Sequence, residues 1–366
     1  MKSAIHRDTW LEIDLAAIQE NVQNIKQYYT KEKAIFAVVK ADAYHHGAVA
    51  VALAVLQAGA TGLCVSNLDE GIELREAGIQ APILVMGKIA PHYLAVAQKY
   101  LLQVTVSDWE WLEQALMYEG AKVQVHLKFD SGMNRLGAKT SAELKYLLER
   151  LDAHESFEVV GLFTHYATSD DTNQTDLLEQ YTRFIALLDE LGMTFTYIHA
   201  SNSYGAIRLA TEKRTNAVRL GILMYGVADQ ALDLPFTLKP AMKLFSRLLE
   251  VKAVTAGERV GYGLTYTCPQ DGYIGVVPIG YADGWWRRNQ GRTVYIDGQF
   301  CEIVGRVCMD QLMVWLPKKY PAMTIVELFG KHIPIQQVAQ ELGTISYEVM
   351  CAIDMRVPKV FQSEVN

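Results

Sequence analysis

Several polar side chains that could do chemistry come directly after apolar, strand-like runs of this 366-residue sequence. Lys40 ends the run AIFAVVK, and Lys128 lies near the end of KVQVHLKFD. A lysine in a desolvated pocket can form a Schiff base with an aldehyde. Further along, HASNS and VRLGI place Ser203 and Arg219 beside backbone N–H groups that could bind a phosphate. Together these residues would suit an aldehyde cofactor with a phosphate, whereas an exposed lysine and a simple turn are the plainer interpretations of each run alone.

The alternation within KVQVHLKFD predicts the direction of Lys128. Apolar residues from Val123 onwards alternate with Gln124, His126 and Lys128. A period of two places these two sets on opposite faces of a strand. In a closed barrel the polar set would face the interior, where a lysine is costly unless it is paired or chemically altered. The alternative is a strand whose polar face is exposed to solvent.

The elements that must position these residues alternate along the first two thirds of the chain. From Trp10 to about Leu232, beginning with the strand-like WLEIDL, short β-rich runs alternate with longer helical ones. One helical run, NLDEGIELREAG, has Asn67 as a cap at its start and Gly78 at its end. This alternation predicts parallel strands with helical crossovers, and the number of units suits a closed (β/α)8 TIM-like barrel, whose polar strand ends would meet at one mouth. The alternative is an open doubly wound sheet, whose dinucleotide-binding form is disfavoured because no G-x-G-x-x-G follows the early strands.

The last third of the chain has a different sequence pattern. After about residue 232, strand-like runs are separated by glycine, Asp-Gly and proline turns, and long helical runs almost vanish. We therefore predict a barrel domain over residues 1–232 and a mostly antiparallel β domain over 233–366, and we allow the first few residues to pack with the β domain. The segment IDGQ predicts a hairpin within the second domain.

Composition and charge exclude several function classes. The net charge is −7 and no run of lysine or arginine occurs, which disfavours a nucleic-acid-binding surface. The start, MKSAIHRDTW, does not have the pattern of a signal peptide, and the most apolar stretch falls well short of the ~20 residues that span a bilayer. Five dispersed cysteines favour reduced, buried thiols in a cytoplasmic protein, and the histidines lack metal-ligand spacing, so we predict no metal site.

The motifs at the predicted strand ends, and others after them, resemble those of bacterial alanine racemases. These enzymes depend on pyridoxal phosphate (PLP) and combine a barrel with a C-terminal β domain. The resemblance runs nearly end to end, from WLEIDLAAIQEN to YEVMCAIDMRVPKVF. Eight motifs occur in the family's order: AVVKADAYHHG, HLKFDSGMNRLG, THYATSD, HASNS, VRLGILMYG, GYGLTYT, PIGYADG and GRVCMDQ.

The resemblance implies a cofactor site around Lys40. In the family pattern this lysine holds PLP as a Schiff base and also acts as a catalytic base. Arg219 would face the pyridine nitrogen of PLP, with His199 behind it. The other residues that the resemblance assigns to the cofactor, chiefly to its phosphate, are Tyr44, Asn202, Ser203, Gly221 and Ile222.

The resemblance also implies a second base and a substrate site. Racemisation needs a proton removed from one face of Cα and returned to the other, so two bases flank Cα. The second base would be Tyr262 of the partner subunit, which implies a homodimer with shared active sites; a hydrogen-bonded chain Tyr262–His165–Arg219 would favour the phenolate. The remaining residues that it implies near the substrate are Arg135, Tyr281, Met309, Asp310 and Lys128, the last at a position that is often carbamylated.

Three positions depart from the commonest family pattern. His45 and Asn134 stand where glycine is usual, and Met355 stands where many members have a tyrosine that narrows the substrate pocket. Because methionine is adaptable and donates no hydrogen bond, serine or a larger amino acid could be tolerated as a substrate.

The predicted function is therefore an alanine racemase that supplies D-alanine for peptidoglycan. Three alternatives remain: a racemase of broader range that favours serine, a PLP-dependent decarboxylase of related architecture, and a non-catalytic PLP-homeostasis protein. The third class lacks the C-terminal β domain and so the Tyr262 base. Decarboxylases lack GYGLTYT and GRVCMDQ in this arrangement.

Overall fold

The structure is a computed structural model that describes residues 3–29 and 33–362 and divides into two compact units. The barrel unit contains residues 18–29, 33–43 and 47–239. The β unit contains residues 3–17, 44–46 and 240–362, so that a short segment near the start of the chain belongs with its last third.

The first strand, β1, and the first helix, α1, span Thr9–Asp14 and Leu15–Tyr28. β1 pairs in antiparallel fashion with a strand that begins at Met242 and in parallel with one that begins at Lys359. It therefore lies in the sheet of the β unit, and the expectation that WLEIDL opens the series of barrel strands is wrong. Alternating burial along β1 agrees with this position, because one of its faces is covered and the other is partly exposed.

The barrel unit contains a closed barrel of eight strands, which confirms the predicted (β/α)8 fold. All neighbouring strands are parallel, and the second strand of the chain closes the ring by pairing with the ninth. The barrel strands are β2 (Ala34–Val38), β3 (Gly62–Val65), β4 (Ile83–Val85), β5 (Gln103–Val106), β6 (Val123–Lys128), β7 (Phe157–Phe163), β8 (Tyr197–His199) and β9 (Ala217–Leu220). Four of the eight barrel strands, β3, β4, β5 and β9, are buried along their whole length, as expected for parallel strands covered on both faces.

Helices follow most barrel strands, and local capping marks where several begin. The side chain of Asn67 accepts a hydrogen bond from the backbone of Glu70, which confirms the predicted cap. Thr140 and Glu143 form a capping box at the start of another helix. Within the described part of the chain, no helix combines the length and apolar composition needed to cross a membrane. The helices are α2 (Lys40–His45), α3 (Ala48–Gln57), α4 (Leu68–Glu76), α5 (Leu94–Lys99), α6 (Trp109–Ala115), α7 (Ser141–Asp152), α8 (Thr175–Leu191) and α9 (Ser203–Arg208), with 3-10 turns at Pro91–Tyr93 and Ile222–Tyr225.

The β unit is built on a nine-stranded sheet in which every pair except the one between β1 and the last strand is antiparallel. The predicted hairpin at IDGQ is confirmed: both Asp297 and Gly298 have positive φ, as a two-residue type I′ turn requires. The strands are β10 (Met242–Arg247), β11 (Glu250–Val254), β12 (Arg259–Val260), β13 (Tyr266–Thr267), β14 (Gly272–Val277), β15 (Thr293–Ile296), β16 (Gln299–Val304), β17 (Leu312–Leu316), β18 (Ile325–Phe329) and β19 (Lys359–Gln362), and the helices are α10 (Ile335–Leu342) and α11 (Ser346–Ala352).

The five cysteines differ in burial. Cys64, Cys268 and Cys301 are buried, and Cys308 is partly exposed. Cys351 is exposed, so the prediction of buried thiols is wrong for this residue. It lies in the last turn of the short helix α11, where the sequence alone does not distinguish the covered from the open face.

Gly284 tests how closely the backbone packs inside the β unit. Its φ is +83°, and a Cβ at this position would lie 1.8 Å from the carbonyl oxygen of Ala352. We expect Gly284→Ala to lower the free energy of unfolding by about 3 kcal/mol or more, because a positive φ and a backbone clash both oppose the new side chain. Gly257→Ala is the matched control, since Gly257 has a φ of +88° but no atom within 4 Å of the Cβ position. Equal urea-unfolding midpoints for the two variants would contradict this account.

Candidate active site

Lys40 lies at the carboxyl end of β2 and begins the short segment α2, which forms a left-handed turn. Residues 41–45 all have φ between 52° and 65°, and none of them is glycine. A left-handed conformation costs about 1–2 kcal/mol for each residue with a side chain. The apolar run HHGAVAVALAVLQAG predicts one helix that includes His45 and His46, whereas α3 begins at Ala48. The predicted start is wrong because residue types in such a run do not reveal the sign of φ.

Two carboxylates hold this left-handed turn in place. Glu70 accepts hydrogen bonds from the N–H groups of Ala41 (2.8 Å) and Ser66 (2.6 Å), and therefore ties the residue after Lys40 to the end of β3. Asp42 accepts a hydrogen bond from the N–H of Ala48 at 2.7 Å through its side chain. Its carbonyl oxygen accepts another from the N–H of Gly47 at 2.9 Å. Such backbone contacts offset part of the strain and restrict the direction of the Lys40 side chain.

The two residues that stand where the family usually has glycine both have positive φ. Asn134 has a φ of +55° and His45 a φ of +65°. Glycine populates this region without a steric cost, and asparagine tolerates it better than most residues. Asn134 is stabilised by a hydrogen bond from its N–H to the carboxylate of Asp130 at 3.0 Å. The glycine usual at each position is therefore explained by the sign of φ, although the structure gives no role for the imidazole of His45.

Arg219 lies fully inside the barrel and is surrounded by neutral acceptors. Its Nη1 donates to Nδ1 of His199 at 2.6 Å, and its Nη2 donates to Nδ1 of His165 at 3.1 Å. The carbonyl oxygens of Thr164 and Ala200 accept further hydrogen bonds from Nη2 at 2.8 and 2.9 Å. Burial lowers the pKa of Arg219 to about 10, which still leaves it a cation near neutral pH.

The hydrogen bonds to Arg219 determine the protonation of its two histidine neighbours. An arginine can only donate, so Nδ1 of each imidazole must be unprotonated. Burial, followed by the charge of Arg219, lowers the pKa of both His165 and His199 well below the usual value. Both rings are therefore neutral and carry their proton on Nε2.

Lys128 is buried at the end of β6, so the alternative of a solvent-exposed strand face is wrong. Its Nζ lies 5.3 Å from the centre of the Phe163 ring. Burial, and then the charges of Arg219 and Arg135, lower its pKa to about 8. Arg135 itself is exposed, and it acts on Lys128 and His165 through its charge. The structure thus brings two arginines and a lysine close together at one mouth of the barrel.

The segment that contains Asn202 and Ser203 begins α9 and is organised by hydrogen bonds. Asn202 accepts from the N–H of Gly205 at 3.0 Å. The hydroxyl oxygen of Ser203 accepts from the N–H of Gly221 at 2.8 Å, so this predicted phosphate-binding N–H already has an acceptor. Because that oxygen accepts, the hydroxyl proton of Ser203 can be donated to an anion. Ile222, which follows Gly221, begins a 3-10 turn.

In the β unit, two loops bring Tyr281 and Met309 together. The N–H of Tyr281 donates to the carbonyl of Cys308, and the N–H of Ala282 donates to that of Met309, both at 3.0 Å. The approach is close because Gly280 lacks a side chain: a Cβ there would lie 2.3 Å from the Cys308 oxygen. Tyr281 and Met309 are exposed, at 42% and 53%.

A charge network holds the same two loops, and two of its members, Arg7 and Asp283, were not predicted from the sequence. Asp283 is completely buried and pairs with both Nη atoms of Arg7, one of them at 2.8 Å. Arg7 also donates to the carbonyl of Asp310, while Arg356 donates to the Asp310 carboxylate at 2.8 Å. Arg7 and Asp283 are 276 residues apart, so no local pattern could have linked them.

The remaining predicted site residues of the β unit lie in different surroundings. Tyr262 is 72% exposed and stands between Gly261 and Gly263, both of which have positive φ. Tyr44 is buried, with its ring centre 5.5 Å from that of Tyr347. Met355 is exposed. Within this chain the phenol of Tyr262 is therefore presented to solvent on a tight turn.

Comparison with known proteins assigns the chain to a family. A model of the alanine racemase N-terminal domain matches residues 13–229, and a model of the C-terminal domain matches residues 241–361. This chain belongs to the alanine racemase family. Members of the family are isomerases, and the predicted enzyme class is confirmed.

Individual members of the family are similar over almost the whole chain. The alanine racemase of Geobacillus kaustophilus (strain HTA426) is 46% identical over 365 residues, which cover 97% of this chain and 95% of that protein. The crystal structure of alanine racemase from E. faecalis has a TM-score of 0.96 at 44% identity, and covers 99% of this chain and 100% of that chain. A histidine racemase from Leuconostoc mesenteroides subsp. sake NBRC 102480 has a TM-score of 0.92 at 30% identity, with 99% and 100% coverage.

Glu70 tests how the left-handed turn after Lys40 is held. We expect Glu70→Gln to weaken the turn by about 1–2 kcal/mol, because an amide has only one acceptor oxygen for the two N–H groups. Hydrogen exchange should show faster exchange of the Ala41 N–H in this variant. The control is Glu73→Gln, which changes an exposed residue on the same helix α4. An unchanged exchange rate at Ala41 would contradict the role of Glu70.

Proposed function

We propose that this protein interconverts L- and D-alanine with PLP as its cofactor. The observation that carries the proposal is the match of both domains to alanine racemases, with Lys40 at the carboxyl end of a barrel strand. Active sites of (β/α)8 enzymes lie at this end of the barrel. The D-alanine would serve the synthesis of peptidoglycan.

The residues at this mouth of the barrel fit PLP in their chemistry. Lys40 offers an amine for the aldehyde, and Ser203 offers a hydroxyl proton for the phosphate, together with the backbone N–H of Ile222. Tyr44 and Asn202 would complete the phosphate site. Arg219 offers N–H donors to the ring nitrogen, as the family pattern implies. When bound, PLP withdraws electrons from the substrate Cα and so makes its proton acidic.

In the proposed mechanism two residues of the protein move the proton. Lys40 removes it from, or returns it to, one face of Cα, and Tyr262 of the partner subunit does so on the other face. His165 carries its proton on Nε2 because Nδ1 accepts from Arg219, and that proton can stabilise a phenolate. The exposure of Tyr262 in a single chain supports its use by a partner and hence a homodimer.

The substrate carboxylate would be bound by the N–H of Met309 and by Arg135, with Asp310 beside them and Tyr281 at the entrance. A racemase of broader range is the second candidate. It is favoured by the likeness to a histidine racemase and by the exposed Met355 in place of the usual tyrosine. A non-catalytic PLP-homeostasis protein is disfavoured because the C-terminal domain matches over residues 241–361. We place the protein in the cytoplasm as part of the same proposal.

Exchange of the Cα proton in deuterated water tests the proposal directly. Purified protein with PLP should exchange the Cα proton of L-alanine, followed by NMR, and should produce D-alanine. Serine and histidine, offered separately, should react more slowly. If serine or histidine reacts faster than alanine, that amino acid is the preferred substrate and the proposed racemisation chemistry still holds. If no amino acid exchanges its Cα proton, the racemase function is refuted.

A single substitution tests the two-base mechanism. Tyr262→Phe should abolish racemisation in at least one direction while PLP still binds, because one face of Cα would lose its base. Exchange of the Cα proton should then persist for only one enantiomer. Tyr266→Phe is the matched control, since Tyr266 lies four residues away and packs against Trp315. Near-normal racemisation by Tyr262→Phe would exclude this tyrosine as the second base.

Lys128 should react with carbon dioxide. With a pKa of about 8, roughly a tenth of this amine is neutral at about pH 7, far more than for an ordinary lysine. The neutral amine adds to carbon dioxide and releases a proton, and the resulting carbamate anion would be stabilised by Arg135. We expect a carbamate signal in carbon-13 NMR with labelled bicarbonate, increasing as the pH rises towards 8. Lys128→Met should remove it, whereas Lys139→Met, an exposed control, should not.

A further inference from the structure

A chain of hydrogen bonds runs through the barrel core from Arg219 to the opposite mouth. Nε2 of His199 lies 3.0 Å from Nδ1 of His126, whose Nε2 lies 2.9 Å from Oε1 of Gln103. Nε2 of Gln103 then donates to Gln124 at 2.9 Å, and Nε2 of Gln124 donates to Glu158 at 3.1 Å. We call this set the core relay, and its members are Arg219, His199, His126, Gln103, Gln124 and Glu158.

The two ends of the core relay allow only one direction of donation. Arg219 has no acceptor atom, so it must donate to His199, and the ionised carboxylate of Glu158 has no proton, so it must accept. Each neutral imidazole between them therefore accepts on Nδ1 and donates from Nε2. The side-chain amides of Gln103 and Gln124 continue the chain in the same direction, because the oxygen of each accepts a hydrogen bond and its nitrogen donates one. Both histidines are held as a single tautomer by residues far from Lys40.

The surroundings of His126 are shaped to hold a neutral ring. The pairing of β6 with β7 shifts between Val125 and His126, which places Gly161 opposite the imidazole. A Cβ on Gly161 would lie 2.2 Å from Nδ1 of His126. The ring of Tyr197 stacks on His126 with an angle of 8° between the planes, and burial lowers the pKa of His126 to about 3. A charged imidazole is therefore excluded from this position.

The core relay also separates Arg219 from the nearest carboxylate in the network. Among the described residues, no carboxylate forms an ion pair with Arg219. Glu158 is exposed near the start of β7, where it lines an open pocket together with Gln103 and Gln124. The anion at the end of the chain of donors thus lies at the mouth opposite Lys40.

We propose that His126 and Gln103 are positioning residues that hold His199 as an acceptor for Arg219 and so keep this guanidinium directed without a carboxylate partner. Their effect on catalysis rests on the proposed function, in which Arg219 faces the ring nitrogen of PLP. A carboxylate in the place of His199 would favour a proton on that nitrogen. Neutral acceptors orient Arg219 and leave no acid or anion next to the cofactor.

Nitrogen-15 NMR of the full-length protein, labelled at its histidines, tests the relay without relying on activity. Without PLP and with PLP, His126 and His199 should each show a protonated Nε2 and an unprotonated Nδ1. A coupling across the hydrogen bond should join Nε2 of His199 to Nδ1 of His126, and it should vanish in His126→Phe. A proton on Nδ1 of His199, or no coupling in the unsubstituted protein, would overturn the proposal.

Gln103→Met tests the positioning role, because methionine has a similar volume but does not replace the amide oxygen as an acceptor for His126. We expect loss of the coupling and a decrease of about tenfold in kcat, with KM changed by less than about twofold. Thr105→Val is the matched control: Thr105 lies on the same strand as Gln103, and the substitution removes its buried hydrogen bond to the carbonyl of Val85. It should lower stability similarly but retain the coupling and kcat.

The two proposals can fail separately. If Gln103→Met behaves like Thr105→Val in both the NMR spectrum and kcat, the core relay is only structural and the inference is wrong. If the unsubstituted protein exchanges no Cα proton, the proposed function fails, and the NMR of the protein without PLP still decides whether the relay has the direction inferred here.

Discussion

The barrel unit depends on one buried cation. The guanidinium of Arg219 lies in the barrel core, and a charge there is tolerated only when its donors find acceptors. Carbonyl oxygens at the ends of β7 and β8 and two imidazoles fill this need. Burial, and then this charge, lower the pKa values of His165, His199 and Lys128. The protonation of the candidate site thus follows from burial together with the position of this one cation.

A second constraint acts on the backbone around Lys40. Five successive residues adopt a conformation that each would avoid in isolation, and hydrogen bonds that backbone N–H groups donate to Glu70 and Asp42 help to hold them. Strain of this kind persists where the surrounding structure over-determines it, and it is commonly found at functional sites. Here it directs the chain away from the strand at the residue that would carry the cofactor.

The β unit organises its candidate residues in a different way. Its candidate residues lie on two loops, which contain Tyr281 and Met309 and are joined by backbone hydrogen bonds. The loops approach this closely because Gly280 has no side chain. A buried carboxylate, Asp283, pairs with Arg7 and Arg356 and links those loops to the start and end of the chain. Removing one partner from such a buried group typically costs about 3–5 kcal/mol, which makes the loop geometry sensitive to distant residues.

The sequence by itself determined the elements and the identity of the candidate residues. Alternating strand and helix patterns predicted the barrel, and motifs such as AVVKADAYHHG and GYGLTYT carried the resemblance to alanine racemases. The period of two in β6 even predicted the inward direction of Lys128. These features are local, because hydrophobic periodicity and residue type are present within a short window of sequence.

Only the tertiary structure decided how those residues are held. The sign of φ after Lys40 is imposed by contacts with residues such as Glu70, and not by the propensities of the turn itself. The partnership of Arg7 with Asp283 and the direction of the core relay join residues that are far apart in the sequence. A hydrogen bond inside a protein is specified by both of its partners, and a single stretch of sequence contains only one of them.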